Sequence, residues 1–370
     1  MHVTIVGAGI VGLALAHELT LRGAAVRLVD MRGRGLGATQ ASAGMLAPYI
    51  EGQHPDLLDL GVRGIGRYDE FIARLRTVTG APVEYRRCGT LQVATDAAEF
   101  TVLDALARRF AGEGVPHGLL GASEVRRADP SLSHGVCGAL LLPQHGYVSV
   151  SDLVAALAAA VEMRGGVVVR DTVLALEPTG AGVRVVTADS RWVSDAAVVA
   201  TGSWSGAPLG PVPGVPVRPI RGQLLHLRAA PDLLRHVTWG NGCYLVPWAD
   251  GSLLLGATVE DVGFDERATV AGVRMLLERG QAILPGLDGA ELVEVRVGLR
   301  PATPDELPIV GPVPGLPGVF RATGHYRSGV LLAPLTAHVL ATLMCDGDGS
   351  VHDDGLALMA GSRFPAAQKP

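Results

Sequence analysis

Three glycines near the start of the chain are spaced to hold a nucleotide by its phosphates. Gly7, Gly9 and Gly12 lie in "VGAGIVGLALAHELTLRGAAVRLVD", residues 6–30, between a β-branched apolar run and a helix-like run. Gly7 permits a tight strand-to-helix turn, Gly9 lets the backbone approach a pyrophosphate, and Gly12 allows the helix to pack closely on the strand. A diphosphate then rests on the amides of the helix start, at Ile10 and Val11, where the positive end of the helix dipole favours an anion. Asp30 follows Gly12 by 18 residues. At the end of the second strand its carboxylate can accept hydrogen bonds from ribose hydroxyls, and it disfavours a ribose 2′-phosphate by like-charge repulsion.

These residues need a βαβ unit to position them. His2 to Val6 reads as a buried strand, Val11 to Arg22 as a helix and Ala25 to Asp30 as a second strand. A loop of small residues, "GRGLGATQASAGMLAP", spans 33–48, and Leu57 to Val78 has helical periodicity with charges interleaved, ending before Gly80 and Pro82. From Pro82 to about Pro143 the pattern changes to short strands, such as Gly89 to Ala94, around a helix from Glu99 to Glu113. Val150 to Arg164 is a strong amphipathic helix. Several alternating strands follow, one of them ending at Ala200, Thr201 and Gly202, and "VFRATGHYRSGVLLAPLTAHVLATLM" closes with a strand, a glycine turn and a long apolar helix. The tail after Asp346 is expected to be loosely ordered.

Composition excludes several chemistries. The 370 residues suffice for two cores, and 48% apolar content, 49 glycines and 18% charge describe a compact globular chain. A net charge of -5 leaves no basic footprint for nucleic acid. Of the 31 cationic side chains only Lys369 is a lysine, so no internal lysine serves a Schiff base, a Walker-type loop or a general base. No HExxH, paired metal spacing or GxSxG elbow occurs. Cys88, Cys137, Cys243 and Cys345 are far apart without a CxxC pair. A reducing cytoplasm fits, and no metal site is suggested. The N-terminus lacks the basic segment of a signal peptide, and no uninterrupted apolar run is long enough for a membrane span.

The chain resembles the FAD-dependent amine and amino-acid oxidases of the D-amino acid oxidase and sarcosine oxidase superfamily, most closely the glycine oxidases associated with thiamine biosynthesis. Four stretches carry the resemblance: the opening fingerprint, "GATQASAGMLAP", "VVATGSWS", and "GLRPATPDELPIVGP" followed by "ATGHYRSGVLLAPLTAHVLA". They run in the family's order over nearly the whole chain, and the second and fourth are the more specific.

The resemblance implies a mixed α/β fold: a Rossmann-like FAD-binding domain with an inserted, mostly antiparallel β-sheet substrate domain. The division expected is 1–80, 141–218 and 299–370 for FAD, and 81–140 and 219–298 for substrate. It also implies that the loop Thr39, Gln40, Ala41, Ser42, Ala43, Gly44 and Met45 wraps the FAD diphosphate and flavin. Val173 would lie near the adenine, and Thr201, Gly202 and Trp204 beside the cofactor. Arg327, Ser328, Gly329, Val330 and Leu331 precede or begin the last helix, whose dipole stabilises negative charge at the flavin N1 and C2 carbonyl.

For the substrate, the resemblance makes Arg300 the carboxylate anchor, because a guanidinium grips a carboxylate with two parallel hydrogen bonds. Tyr244 would assist it, and Arg327 is a second arginine at the end of the site. Gly242 stands where a glycine oxidase of the family has a histidine, and Val259 where it has a methionine, which leaves substrate size and preference open. The implied reaction is hydride transfer from the α-carbon of a neutral amine to flavin N5, giving an imino acid, with O2 then reduced to hydrogen peroxide. The missing internal lysine argues against the sarcosine oxidase branch, and a noncovalent FAD is expected. Glycine, sarcosine and small D-amino acids stay open as substrates, and so does a homo-oligomeric state. Two alternatives remain: a D-amino acid dehydrogenase with a non-oxygen acceptor, and a non-catalytic FAD-binding protein.

Overall fold

The computed structural model describes residues 1–51, 54–230, 232–346 and 354–364. The opening segment folds as strand His2–Val6, helix Ile10–Leu21 and strand Ala25–Asp30. With apolar residues all round, the helix is buried along nearly its whole length. It packs against helix Val150–Met163 and the long closing helix Gly329–Asp346. The closing helix is long and apolar enough to cross a membrane, yet 67% of it is buried in the protein core.

A six-stranded sheet runs in the order Ile309–Pro312, Val319–Thr323, Ala196–Val199, His2–Val6, Ala25–Asp30 and Val167–Arg170. All its pairs are parallel except the first, which is a hairpin. The carboxyl ends of the parallel strands therefore share one edge, the place where open α/β sheets bind ligands. Gly7, Asp30, Thr201 and His325 all follow or end these strands.

The second large sheet has eight strands, in the order Glu291–Ala302, Arg218–Arg228, Ser252–Gly256, Cys243–Pro247, Val237–Gly240, Thr90–Ala94, Gly138–Leu142 and Gly118–Gly121. It is antiparallel except where Val237–Gly240 meets Thr90–Ala94. Its two longest strands, Arg218–Arg228 and Glu291–Ala302, pair along their whole length and bring Ile220 opposite Arg300 and Gly222 opposite Gly298. This is the mixed α/β architecture expected, with the antiparallel sheet built from segments on either side of the middle strands.

One expectation is refined and one corrected. The helical stretch from Leu57 to Val78 is two helices, Pro55–Gly66 and Tyr68–Thr79, joined at Arg67. Buried positions at 57, 60, 61, 64, 65, 68, 71, 72 and 75 keep one helical phase across the joint, so periodicity alone cannot reveal it. The break shows in the backbone: the Arg67 amide donates three residues back, to Gly64 at 3.2 Å. Beyond it the buried Tyr68 hydroxyl donates to the Val330 carbonyl at 2.5 Å. The tail after Asp346 is not loosely ordered throughout. Residues 347–353 and 365–370 lie outside the described residues, but Asp354–Met359 is helical and Met359 is 1% exposed. Arg363 donates to both carboxylate oxygens of Asp305, at 2.6 and 3.2 Å.

Candidate active site

A cleft of about 470 Å³ runs between the carboxyl edge of the six-stranded sheet and one face of the eight-stranded sheet. At one end is the glycine turn. The Gly7 amide donates to the Val29 carbonyl at 2.8 Å and its φ is +113°. A Cβ there would occupy the Ala200 carbonyl, and one on Gly12 would occupy the Gly7 carbonyl. Strand, turn and helix thus touch backbone to backbone. The helix begins at Ile10, whose amide donates to Thr39 Oγ1 at 3.1 Å. Amides of a helix's first turn have no intrahelical acceptor, and Gly9, Ile10 and Val11 line the cleft. A diphosphate is the complementary anion.

Asp30 lines the cleft beside this turn, and its carboxylate is already engaged by the protein. Oδ2 accepts from the Ala8 amide at 2.8 Å, and Oδ1 from the amides of Arg32 at 2.8 Å and Gly33 at 3.0 Å. It joins the glycine turn to the following loop as well as facing any ribose.

Thr39, Ala41, Ser42, Ala43 and Met45 line the cleft, as do Val173, Thr201, Gly202, Trp204, Arg327, Gly329 and Val330. Other members of the expected set do not. Gln40 is exposed and off the cleft. Gly44 is buried beneath it, its carbonyl accepting from the Val148 amide at 2.9 Å. Gly12 serves helix packing. Ser328 is buried and starts the last helix, its carbonyl accepting from Leu332 at 2.8 Å, while Leu331 packs over Gly61 and Gly64. A loop or helix turn can show only part of its residues to one side, and sequence order does not say which part.

Arg300, Tyr244, Gly242 and Val259 line the same cleft. Arg300 donates from Nη1 to the Thr258 carbonyl at 3.0 Å. Tyr244 stacks on Trp239, with ring centroids 5.5 Å apart, and they are cross-strand partners in a hairpin. Asn241 and Gly242 form its two-residue turn with φ of +47° and +68°, the left-handed pair that an Asn-Gly turn supplies. Gly242 is therefore a turn residue as well as a pocket residue. Trp239 was not among the expected residues, although "TWGNGCYL" carries the Asn-Gly hairpin signal that pairs it with Tyr244.

Arg32 was missed as well. It lines the cleft, donates to both oxygens of Glu266 at 2.8 Å, and stacks over Trp204 at 4.3 Å. His325, buried in the wall, is held down to about 4 by burial and is neutral at pH 7, with Nε2 3.0 Å from Thr336 Oγ1.

A glycine turn suited to a diphosphate and an arginine-lined pocket on an antiparallel sheet share one cleft, the arrangement of a dinucleotide-binding protein with a second, polar pocket beside the nucleotide. Residues 2–343 match the model of the DAO family, FAD dependent oxidoreductases, and the chain belongs to that family. Glycine oxidase of Geobacillus kaustophilus is 34% identical, over 92% of each chain. The crystal structure of glycine oxidase from Geobacillus kaustophilus superposes with a TM-score of 0.92 at 33% identity, covering 98% of this chain and 99% of that one. The bifunctional protein ThiO/ThiG of Nostoc sp. is 36% identical over 93% of this chain, which spans about half of that protein's length, 52%. The chain is thus an FAD-dependent oxidoreductase of the glycine oxidase type.

Proposed function

We propose that the protein oxidises a small amino acid, glycine, sarcosine or D-alanine, to its imino acid, with Arg300 as the carboxylate anchor. One observation carries the reading: the cleft lined by Gly7, Gly9, Ile10 and Val11 is also lined by Arg300 and Tyr244. A cation on the pocket wall selects an anionic substrate, and the fork of a guanidinium fixes its orientation as well as its charge. Tyr244 assists at the carboxylate and Arg327 bounds the site. With the carboxylate fixed, the α-carbon is held in one orientation, and the apolar wall excludes water.

The residues to hold FAD are Gly7, Gly9, Ile10 and Val11 at the diphosphate, Asp30 at the ribose, Thr39 and 41–43 with Met45 along the cofactor, and Val173 near the adenine. Thr201, Gly202, Trp204 and 327–330 complete the set. When bound, FAD supplies the acceptor for the hydride leaving the α-carbon, and O2 takes up the electron pair to give hydrogen peroxide. The FAD is noncovalent. Cys243 lines the cleft, but burial pushes its thiol up to about 12, so it stays protonated and a poor nucleophile.

We further propose the division into an FAD domain, 1–80, 141–218 and 299–370, and a substrate domain, 81–140 and 219–298. A cytoplasmic location is in keeping with four free cysteines. The likeness to ThiO/ThiG supports a role in supplying thiamine thiazole synthesis.

The test is Arg300→Leu. FAD should remain bound while turnover of amino acids is largely lost, because breaking a buried charge pair on one side costs about 3 to 5 kcal/mol, roughly two to three and a half decades in the apparent substrate constant. An amine lacking the carboxylate should be a poor substrate for the parent and lose little further. Parent-like kcat/KM for glycine, sarcosine and D-alanine in the variant would transfer the anchor role to Arg327.

A further inference from the structure

Arg300 itself is held by two backbone carbonyls, and both lead to a single carboxylate. Its Nη1 donates to the carbonyls of Thr258, at 3.0 Å, and Arg221, at 3.4 Å. Thr258 Oγ1 donates to Glu260 Oε1 at 2.6 Å, and Arg221 Nη2 donates to Glu260 Oε2 at 2.6 Å. The backbones of Arg221 and Glu260 also bond reciprocally, amide to carbonyl, at 2.8 and 3.0 Å. Gln223 closes the knot. Its Nε2 donates to Glu260 Oε1 at 2.7 Å and its backbone amide to Thr258 Oγ1 at 2.9 Å. The Arg221 side chain is only 5% exposed and has Asp265 as a second carboxylate partner at 3.0 Å.

We infer that Glu260 is a positioning residue for Arg300, an inference that rests on Arg300 being the carboxylate anchor. The N–H groups of a guanidinium lie in one rigid plane. Two carbonyls holding Nη1 therefore set the plane of the whole fork, and Glu260 ties together the two chain segments that carry those carbonyls. The same tie fixes Val259, which stands between Thr258 and Glu260 in sequence and lines the cleft. Glu260 itself is not among the residues lining the cleft; it acts on Arg300 through the two carbonyls and on the cleft wall through Val259. Glutamine at 260 keeps the shape and one acceptor oxygen but loses the charge toward Arg221. Alanine removes the knot.

The experiment uses the FAD-loaded full chain and acetate as a non-reactive carboxylate, with binding read from the perturbed flavin absorption spectrum. Glu260→Ala should weaken acetate binding by about tenfold or more and raise KM for glycine to match, with kcat within about twofold and Glu260→Gln intermediate. Kinetics with an amine that has no carboxylate should be unchanged, which a general loosening of the fold would not produce. Parent-like acetate binding in Glu260→Ala overturns the inference, and so does an equal loss for the carboxylate-free amine. Should Glu260→Ala fail to fold, Thr258→Val deletes one hydroxyl of the knot and keeps the carbonyl, and parent-like acetate binding there overturns the inference equally. Arg300→Leu, run in parallel, separates the two readings. If it too leaves acetate binding intact, the anchor assignment itself fails; if only Arg300→Leu weakens it, Glu260 alone is excluded.

Discussion

The guanidinium of Arg300 lies across Gly222 on the neighbouring strand, filling the space that a side chain there would occupy. The two residues are not register partners: Arg300 is opposite Ile220, and it leans diagonally over the glycine. A Cβ at 222 has no room beside the guanidinium, and the guanidinium must yield. Gly222→Ala should therefore leave the sheet folded and raise KM for the amino acid by roughly one to two decades, since small misplacements of a binding group cost that much. Unchanged KM with an unchanged Tm would show that Arg300 does not need this path.

Arg32 and Glu266, 234 residues apart, close a clasp over Trp204, and Phe264 packs against the same indole with ring centroids 5.6 Å apart. Each charged side chain is 31% exposed. Solvent then limits the ion pair to about 1 kcal/mol or less, and the stacked arginine adds about 0.5 to 1 kcal/mol. Glu266→Gln should release FAD about three- to tenfold faster on dilution, followed by flavin fluorescence, and added salt should shrink the difference. The charge-exchanged pair Arg32→Glu with Glu266→Arg should recover part of the loss. Identical release rates in parent and variant at low salt would exclude a clasp.

Asp30 organises the protein before any ribose arrives, because three backbone amides donate to it. Asp30→Ala should weaken FAD affinity by about 1 to 3 kcal/mol, with part of the loss already visible as a lower Tm of the apoprotein. Calorimetry of apo and holo forms separates the contributions. An apoprotein Tm equal to the parent's would confine Asp30 to the cofactor.

Acid should destabilise the fold well above the usual carboxylate range. Burial holds His17 and His325 down to about 4 and His145 to about 3, from 6.5. Among the described residues, neither ring nitrogen of His17 nor of His145 has a hydrogen-bond partner. The unfolded chain takes up protons on these rings as pH falls through 6.5, while the folded chain does so only near 4 and below. Stability is therefore complete above about pH 7, declines between 6.5 and about 3, and levels off below, each ring contributing on the order of 3 to 5 kcal/mol. Urea unfolding midpoints from pH 8 to 4 check this, and His145→Phe should flatten the profile. A midpoint constant between pH 7 and 5 rules it out.

The glycine turn, the acid at Asp30, the apolar first and last helices and the family they indicate were legible in the sequence. Each is a local pattern, fixed by backbone sterics and by apolar phase within one element. Trp239 and its pairing with Tyr244 are legible too, through the Asn-Gly turn at 241–242.

The joint at Arg67 was hidden because both helices keep one apolar phase. The partners of Arg300 were hidden for another reason. Its carbonyl acceptors lie 42 and 79 residues away in the chain; the register of Arg218–Arg228 against Glu291–Ala302 brings up Arg221, and the bridge from Arg221 to Glu260 brings up Thr258. Local sequence set which residue types could bind a carboxylate or a diphosphate. The strand register and the packing of one sheet against the other decided which of the chain's arginines line the cleft, Arg32, Arg300 and Arg327, and which carbonyls and carboxylate hold Arg300 and Arg32 there.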